Sequence, residues 1–241
     1  MAFLDIHSHI LPCVDDGARN IDISLKLLDI LNQQGVTNVI ATPHFYPDTD
    51  NAEDFAQRVE ESYLQLKNTI NGTDYPKVHL GCELHYFNGM GKSKSLELFV
   101  IKGTNYILLE LPYGVAITKT ILQDITDIYE IQGFKPIIAH IERYKRAKNF
   151  KKLLELISNG YALAHINAGA IVCKEDSRFC QKLIKRGYIS YVASDAHSLN
   201  HRPPLIKQAL NTITDKLGKS FANKLTSNSI KLLNEIEGTD A

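Results

Sequence analysis

Phe3-Leu4-Asp5-Ile6-His7-Ser8-His9 is a short apolar run that ends on two histidines two positions apart. It reads as a buried strand. Residues two apart in an extended segment project to the same side, so both imidazoles can face one ion. The pattern returns near the other end of the chain in Tyr191-Val192-Ala193-Ser194-Asp195-Ala196-His197. Between them the rhythm is strand then helix. Strands are expected at 3–7, 38–41, 78–83, 106–109, 136–139, 163–166 and 191–193, and helices at 21–34, 52–71, 118–132, 150–159, 177–186 and 202–217. Gly35, Gly133, Gly160 and Gly187 stop four of those helices. The strands are continuous hydrophobic runs rather than alternating ones, which predicts an α/β fold with a parallel sheet covered by helices. A barrel of about seven βα units fits that rhythm.

The 241 residues, 44% of them hydrophobic, suffice for one large core, and no repeat or Pro/Ser-rich linker divides them. A single domain over 1–241 is expected, with a peripheral helix at 224–237. Twenty-seven basic residues balance twenty-seven acidic ones, which argues against nucleic acid as a partner. The N-terminus lacks the pattern of a secretory leader and no apolar run reaches the length of a membrane span, so a cytoplasmic location is expected. Cys13, Cys82, Cys173 and Cys180 lack metal-finger spacing and read as packing thiols.

Nearly every expected strand ends in an imidazole or a carboxylate. His7 and His9 close the first, Asp15-Asp16-Gly17 follows on a turn, and Thr42-Pro43-His44 closes the second. Glu83, Glu110 and His140 close the next three, and Asp195 and His197 follow the seventh. In a parallel barrel these ends form one rim, so the groups converge. A lone histidine or glutamate there would usually be a solvated loop residue. A buried cluster of carboxylates is different, because it requires cations. Mixed imidazole and carboxylate donors suit Mn, Fe, Co or Zn. The donors exceed what one ion can use, so two or three divalent ions are expected, with Glu83 as the bridge. Such ions lower the pKa of a shared water and bind phosphate oxygens, the chemistry of a hydrolase. Arg143, three residues beyond His140, and Arg202, five beyond His197, match a phosphate monoester through bidentate guanidinium contacts. His79, His85, His165 and His201 receive no ligand role, although His165 would lie beneath the site and His85 beside it.

The motifs Asp5-Ile6-His7-Ser8-His9-Ile10-Leu11-Pro12, Asp15-Asp16-Gly17, Ala41-Thr42-Pro43-His44, Gly81-Cys82-Glu83, Ala139-His140-Ile141-Glu142-Arg143-Tyr144 and Ser194-Asp195-Ala196-His197 resemble those of the polymerase and histidinol phosphatase (PHP) superfamily. More narrowly, the chain resembles the bacterial metal-dependent tyrosine phosphatases of capsule and exopolysaccharide loci, over about residues 3–217. That resemblance implies a distorted (β/α)7 barrel of parallel strands with outer helices. It implies a manganese-supplied site built from His7, His9, Asp16, His44, Glu83, Glu110, His140, Asp195 and His197, with Arg143 and Arg202 on the phosphate. The implied substrate is phosphotyrosine on the C-terminal tail of a bacterial tyrosine kinase, hydrolysed by a metal-bound hydroxide. Cys13 departs from the family, which often has glycine there. Rival readings are a small-molecule phosphatase such as a histidinol phosphatase, a phosphoesterase of nucleic-acid ends, and a non-catalytic kinase-regulatory phosphotyrosine-binding module. The Cys-x5-Arg spacing of thiol phosphatases occurs twice, at Cys13 to Arg19 and Cys180 to Arg186. The first has two carboxylates where the phosphate would sit and the second falls in a helix, so both read as coincidences.

Overall fold

A computed structural model describes residues 3–238. All strand pairings within its two sheets are parallel: β1 (Leu4–Ser8), β2 (Asn38–Ala41) and β4 (Lys77–Leu80) form one, in the order β1-β2-β4. β3 (His44–Phe45), β5 (Glu83–His85), β6 (Tyr106–Glu110), β7 (Lys135–Ile138), β8 (Leu163–Asn167) and β9 (Tyr191–Ala193) form the other, in that order. The two sheets are one wall with a kink. β2 and β3 are a single strand position interrupted at Thr42-Pro43, and β4 and β5 another interrupted at Gly81-Cys82. Gly81 N–H donates to Ala41 O at 2.9 Å and Glu83 N–H to Pro43 O at 3.0 Å, carrying the ladder across the break. The strand expected at 78–83 is therefore corrected to two segments, and β3 is an addition. Seven strand positions remain.

Closure of the wall is partial. β9 reaches β1 through Asp195 N–H to His7 O and His9 N–H to Ala196 O, both 2.9 Å, at the C-terminal end alone. Lower down, the buried Asp5 carboxylate accepts from Ser194 N–H at 2.9 Å and substitutes for a ladder bond.

Helices α1 (Ile21–Gln33), α2 (Ala52–Ile70), α3 (Lys119–Glu130), α4 (Phe150–Ser158), α5 (Ala168–Val172), α6 (Lys174–Lys185), α7 (Ile206–Leu217) and α8 (Lys219–Glu237) surround the wall. Asn20, Asn51 and Thr118 cap α1, α2 and α3 by accepting backbone N–H bonds of the first turn. The glycines at 35, 133, 160 and 187 all take positive φ, as the helix stops require. The helix expected from 202 starts instead at Ile206. Pro203 and Pro204 disfavour helical geometry in the residues before them, which leaves Arg202 on a loop at the rim.

The helix expected as peripheral at 224–237 begins at Lys219 and closes the base of the barrel. Leu232 and Leu233 pack with Leu4, Ile6, Leu108 and Ile137 in the lower interior. A larger apolar layer joins outward strand residues such as Val39, Leu109 and Ile166 to the helices.

Candidate metal centre

The chemistry at the mouth begins with an irregularity in β1. Its register against β2 shifts between Asp5 and Ser8. Ile6 belongs to the barrel interior, yet the next residue, His7, also points inward, bonding His165 and Glu83. A bulge inserts one residue and re-aims the side chain that follows. Ser8 then faces outward, where its hydroxyl donates to Ile40 O at 2.8 Å, and His9 returns to the mouth.

Glu83 is the centre of the cluster. Its Oε2 lies 3.0 Å from His7 Nε2, 3.2 Å from His9 Nε2 and 3.1 Å from His44 Nδ1, and its Oε1 lies 2.8 Å from His140 Nε2. His140 Nε2 also approaches Glu110 Oε1 at 3.3 Å. Asp195 Oδ1 stands 3.5 Å from His7 Nε2, His9 Nε2 and His197 Nδ1. On the solvent side Asp16 Oδ1 lies 3.4 Å from His197 Nε2 and 3.7 Å from His44 Nε2, its side chain 68% exposed. All nine residues expected at strand ends are thus brought together.

Donor atoms of eight of them form three overlapping groups: His7, His9, Glu83 and Asp195; His9, Asp16, His44 and His197; and His44, Glu83 and Glu110; His140 adjoins these through Glu83 and Glu110. Each group shares one residue with each of the others. Two observations test whether cations fit. Asp195 Oδ1 and His44 Nδ1 are buried with no hydrogen-bond partner. And several donor separations fall at about 3–3.5 Å, the spacing of neighbouring ligands around one ion with bonds near 2.1 Å. The residues present fit divalent metal.

Burial penalises every charge here, and specific contacts decide which charges survive. Burial and neighbouring imidazoles act oppositely on Glu83 and Asp195, and the imidazoles hold both well below the usual carboxylate range. Glu110 is drawn down to about 2 despite burial, through hydrogen bonds from His140 and His85. Burial lowers His7, outweighing Glu83 and Asp195. His9 and His140 go the other way: burial is overcome by carboxylate hydrogen bonds, which raise His9 well above its ordinary value and His140 to about 9.

Both arginines arrive at the rim on one carboxylate. Arg143 Nη2 donates to Asp195 Oδ2 at 2.9 Å, and Nη1 lies 3.5 Å from Glu110 Oε1. Arg202 Nη2 donates to the same Asp195 oxygen, and its Nη1 donates to His197 Nε2 at 2.8 Å. A hollow of 380 Å³ opens beside them, lined by Asn167, Ser194 and Asp195.

The supporting residues were harder to foresee. Asp15, to which the sequence assigns no role, accepts from His9 Nδ1 at 2.6 Å and from His44 N–H at 3.1 Å, fixing two imidazoles. Asn167 Nδ2 donates to Asp195 Oδ2 at 2.6 Å. His165 lies beneath the site as expected, 2.9 Å from His7 Nδ1, and His85 Nδ1 lies 3.2 Å from Glu110 Oε2. His79 is remote, bonded to Asn38. Strain concentrates here too. His140 at φ 32° and Asp195 at φ 51° occupy the left-handed region, at a cost of about 1–2 kcal/mol each for an L-residue. Cys13, at φ 60°, also takes the left-handed region, which favours glycine, and its thiol donates to Arg19 O at 2.9 Å. Cys180 is buried inside α6, where its thiol is pushed up by burial. Neither cysteine contacts the cluster.

Residues 3–234 match the family model described as capsular polysaccharide synthesis, CpsB/CapC. The chain belongs to the CpsB/CapC family. CapC of Staphylococcus aureus is 31% identical over 235 residues, 93% of this chain and 87% of that protein. Tyrosine-protein phosphatase YwqE of Bacillus subtilis is 30% identical over 236 residues, 95% of this chain and 91% of that one. The solved structures of YwqE and of CpsB from Streptococcus pneumoniae, described as metal-dependent tyrosine phosphatases, include a chain that superposes with a TM-score of 0.84 at 29% identity, covering 96% of this chain and 94% of that one. The partly closed parallel wall with outer helices is thus the architecture of a CpsB/CapC protein.

Proposed function

We infer that this CpsB/CapC chain is a metal-dependent protein tyrosine phosphatase acting on the C-terminal tail of a bacterial tyrosine kinase, in the cytoplasm. The observation that carries the reading is the geometry around Glu83, whose two oxygens face different imidazoles and which belongs to two of the three overlapping donor groups. His7, His9, Asp16, His44, Glu83, Glu110, His140, Asp195 and His197 would hold two or three divalent ions, with manganese the favoured one and iron, cobalt or zinc the alternatives. When bound, such ions lower the pKa of water and neutralise phosphoryl oxygens.

The chain's own residues do the rest. Asp15 holds the Nδ1 proton of His9 and so presents Nε2 to the centre. Arg143 and Arg202 carry their guanidiniums at the rim, where a phosphate dianion can replace Asp195 as their partner. No helix among the described residues is long and apolar enough to cross a membrane. A phenol leaves with a pKa of about 10 and needs little protonation, so an aryl phosphate suits a site whose imidazoles and carboxylates are committed to one another. The names of the relatives favour phosphotyrosine over histidinol phosphate.

Turnover of a phosphotyrosine peptide, histidinol phosphate and a phosphodiester by one manganese-loaded sample tests this. The peptide is expected to have the highest kcat/KM. Preference for histidinol phosphate or the diester, or binding of the peptide without cleavage, would contradict it.

A further inference from the structure

Two hollows open side by side at the rim: one of 380 Å³ against Asp195 and Arg202, and one of 490 Å³ between residues 113–116 and 143–148. Tyr113, Arg143 and Lys145 line both. The second hollow has no acidic residue in its lining. Residues 143–152 carry six cations and no carboxylate, in a chain whose net charge is zero. Lys145 is ion-paired with Asp176. Arg146 and Lys148 are exposed and make no ion pair among the described residues. On the facing wall Tyr113 is 74% and Val115 52% exposed.

The geometry points to a peptide subsite for acidic residues flanking the phosphotyrosine, a conclusion that rests on the phosphatase reading above. With the phosphotyrosyl group beside Arg143 and Arg202, the peptide on one side of it enters the second hollow. There, aspartate or glutamate side chains meet Arg146 and Lys148, and apolar stems lie on Tyr113 and Val115. The cations are confined to one short wall opposite apolar side chains. That arrangement fits an extended peptide better than a nucleic acid, which needs a basic surface matched to a run of phosphates. Because Arg146 and Lys148 are exposed, their attraction is salt-dependent and acts on selectivity more than on the chemical step.

The test uses manganese-loaded protein and labelled peptides in which a phosphonomethyl group replaces the phosphate ester, so that binding is read without turnover. Anisotropy at low ionic strength is expected to show an acidic-flanked peptide binding about tenfold more tightly than a lysine-flanked one. The gap should shrink with added salt. Arg146→Glu combined with Lys148→Glu should abolish or reverse the preference while turnover of phenyl phosphate is unchanged. Equal binding of the two peptides by the wild type, or a preference that survives the double substitution, overturns the subsite. So does displacement of the acidic peptide by duplex DNA at a lower concentration than by the unlabelled peptide. Absence of phenyl phosphate turnover with the acidic preference intact would overturn the phosphatase reading and leave this surface standing.

Discussion

At the base of the barrel Leu4, Ile6, Leu108 and Ile137 meet Leu232 and Leu233 of α8 in an apolar contact. A few residues further along the same wall, His7, Glu110, His140 and Asp195 face one another at the mouth. The base gains stability from every methylene it removes from water. The mouth holds buried charges, a strand bulge and two residues in left-handed backbone, all of which cost free energy. A fold that keeps such a mouth needs a base that over-determines it, and α8 supplies that base. The two ends should therefore respond oppositely to substitution.

The largest effect is expected from Glu83→Gln at the mouth. It removes the carboxylate common to the four nearest imidazoles, and kcat/KM on a phosphotyrosine peptide should fall about 10³-fold or more. Metal content should fall with it, while thermal stability of the metal-free protein changes little. A large drop in the melting temperature of the metal-free protein would break the comparison by making the mouth structural.

At the base, Leu232→Ala opens a cavity around a residue that is 1% exposed, and should cost about 2–5 kcal/mol in denaturant titration. Turnover per folded molecule should be unaffected. If kcat fell with full metal occupancy, base and mouth would be coupled.

Asp15→Asn returns to the mouth, with a smaller expected effect. It leaves every proposed ligand in place but weakens the acceptor that orients His9 and His44, and should lower metal affinity about 10–100-fold. Titration of metal into the variant checks this, and unchanged affinity would remove Asp15 from the site.

The smallest effect concerns His79, remote from the mouth. Burial and Lys77 depress its folded pKa below 6.5. Above 6.5 both states are neutral, and below it the unfolded chain takes the proton more readily. The contribution is therefore present above 6.5 and lost as pH falls from 6.5 through the lower folded pKa. His79→Gln should show a shallower loss of melting temperature between neutral and mildly acidic pH than the wild type. Parallel curves would reject this.

Much of both ends was legible in the sequence. The strand positions followed from apolar runs and the nine mouth residues from their place at strand ends, since parallel strands carry their C-terminal residues to one rim. What escaped depended on tertiary context. Nothing local marks the bulge that turns His7 inward, and the two-residue spacing of His7 and His9 predicted the right convergence for an incomplete reason. Asp15 and Asp16 are chemically identical neighbours, and only the turn decides that Asp15 is buried against His9 while Asp16 faces solvent. The last helix has an amphipathic pattern that says it packs, but not that it packs beneath the barrel.

The central claim is that the mouth is a metal centre performing hydrolysis. The most direct measurement is elemental analysis of the purified chain, paired with phosphotyrosine turnover before chelation, after chelation and after return of Mn2+. Two or three ions per chain, activity abolished by the chelator and restored by Mn2+, are the expected results. Full turnover in protein shown to be free of metal would contradict the account.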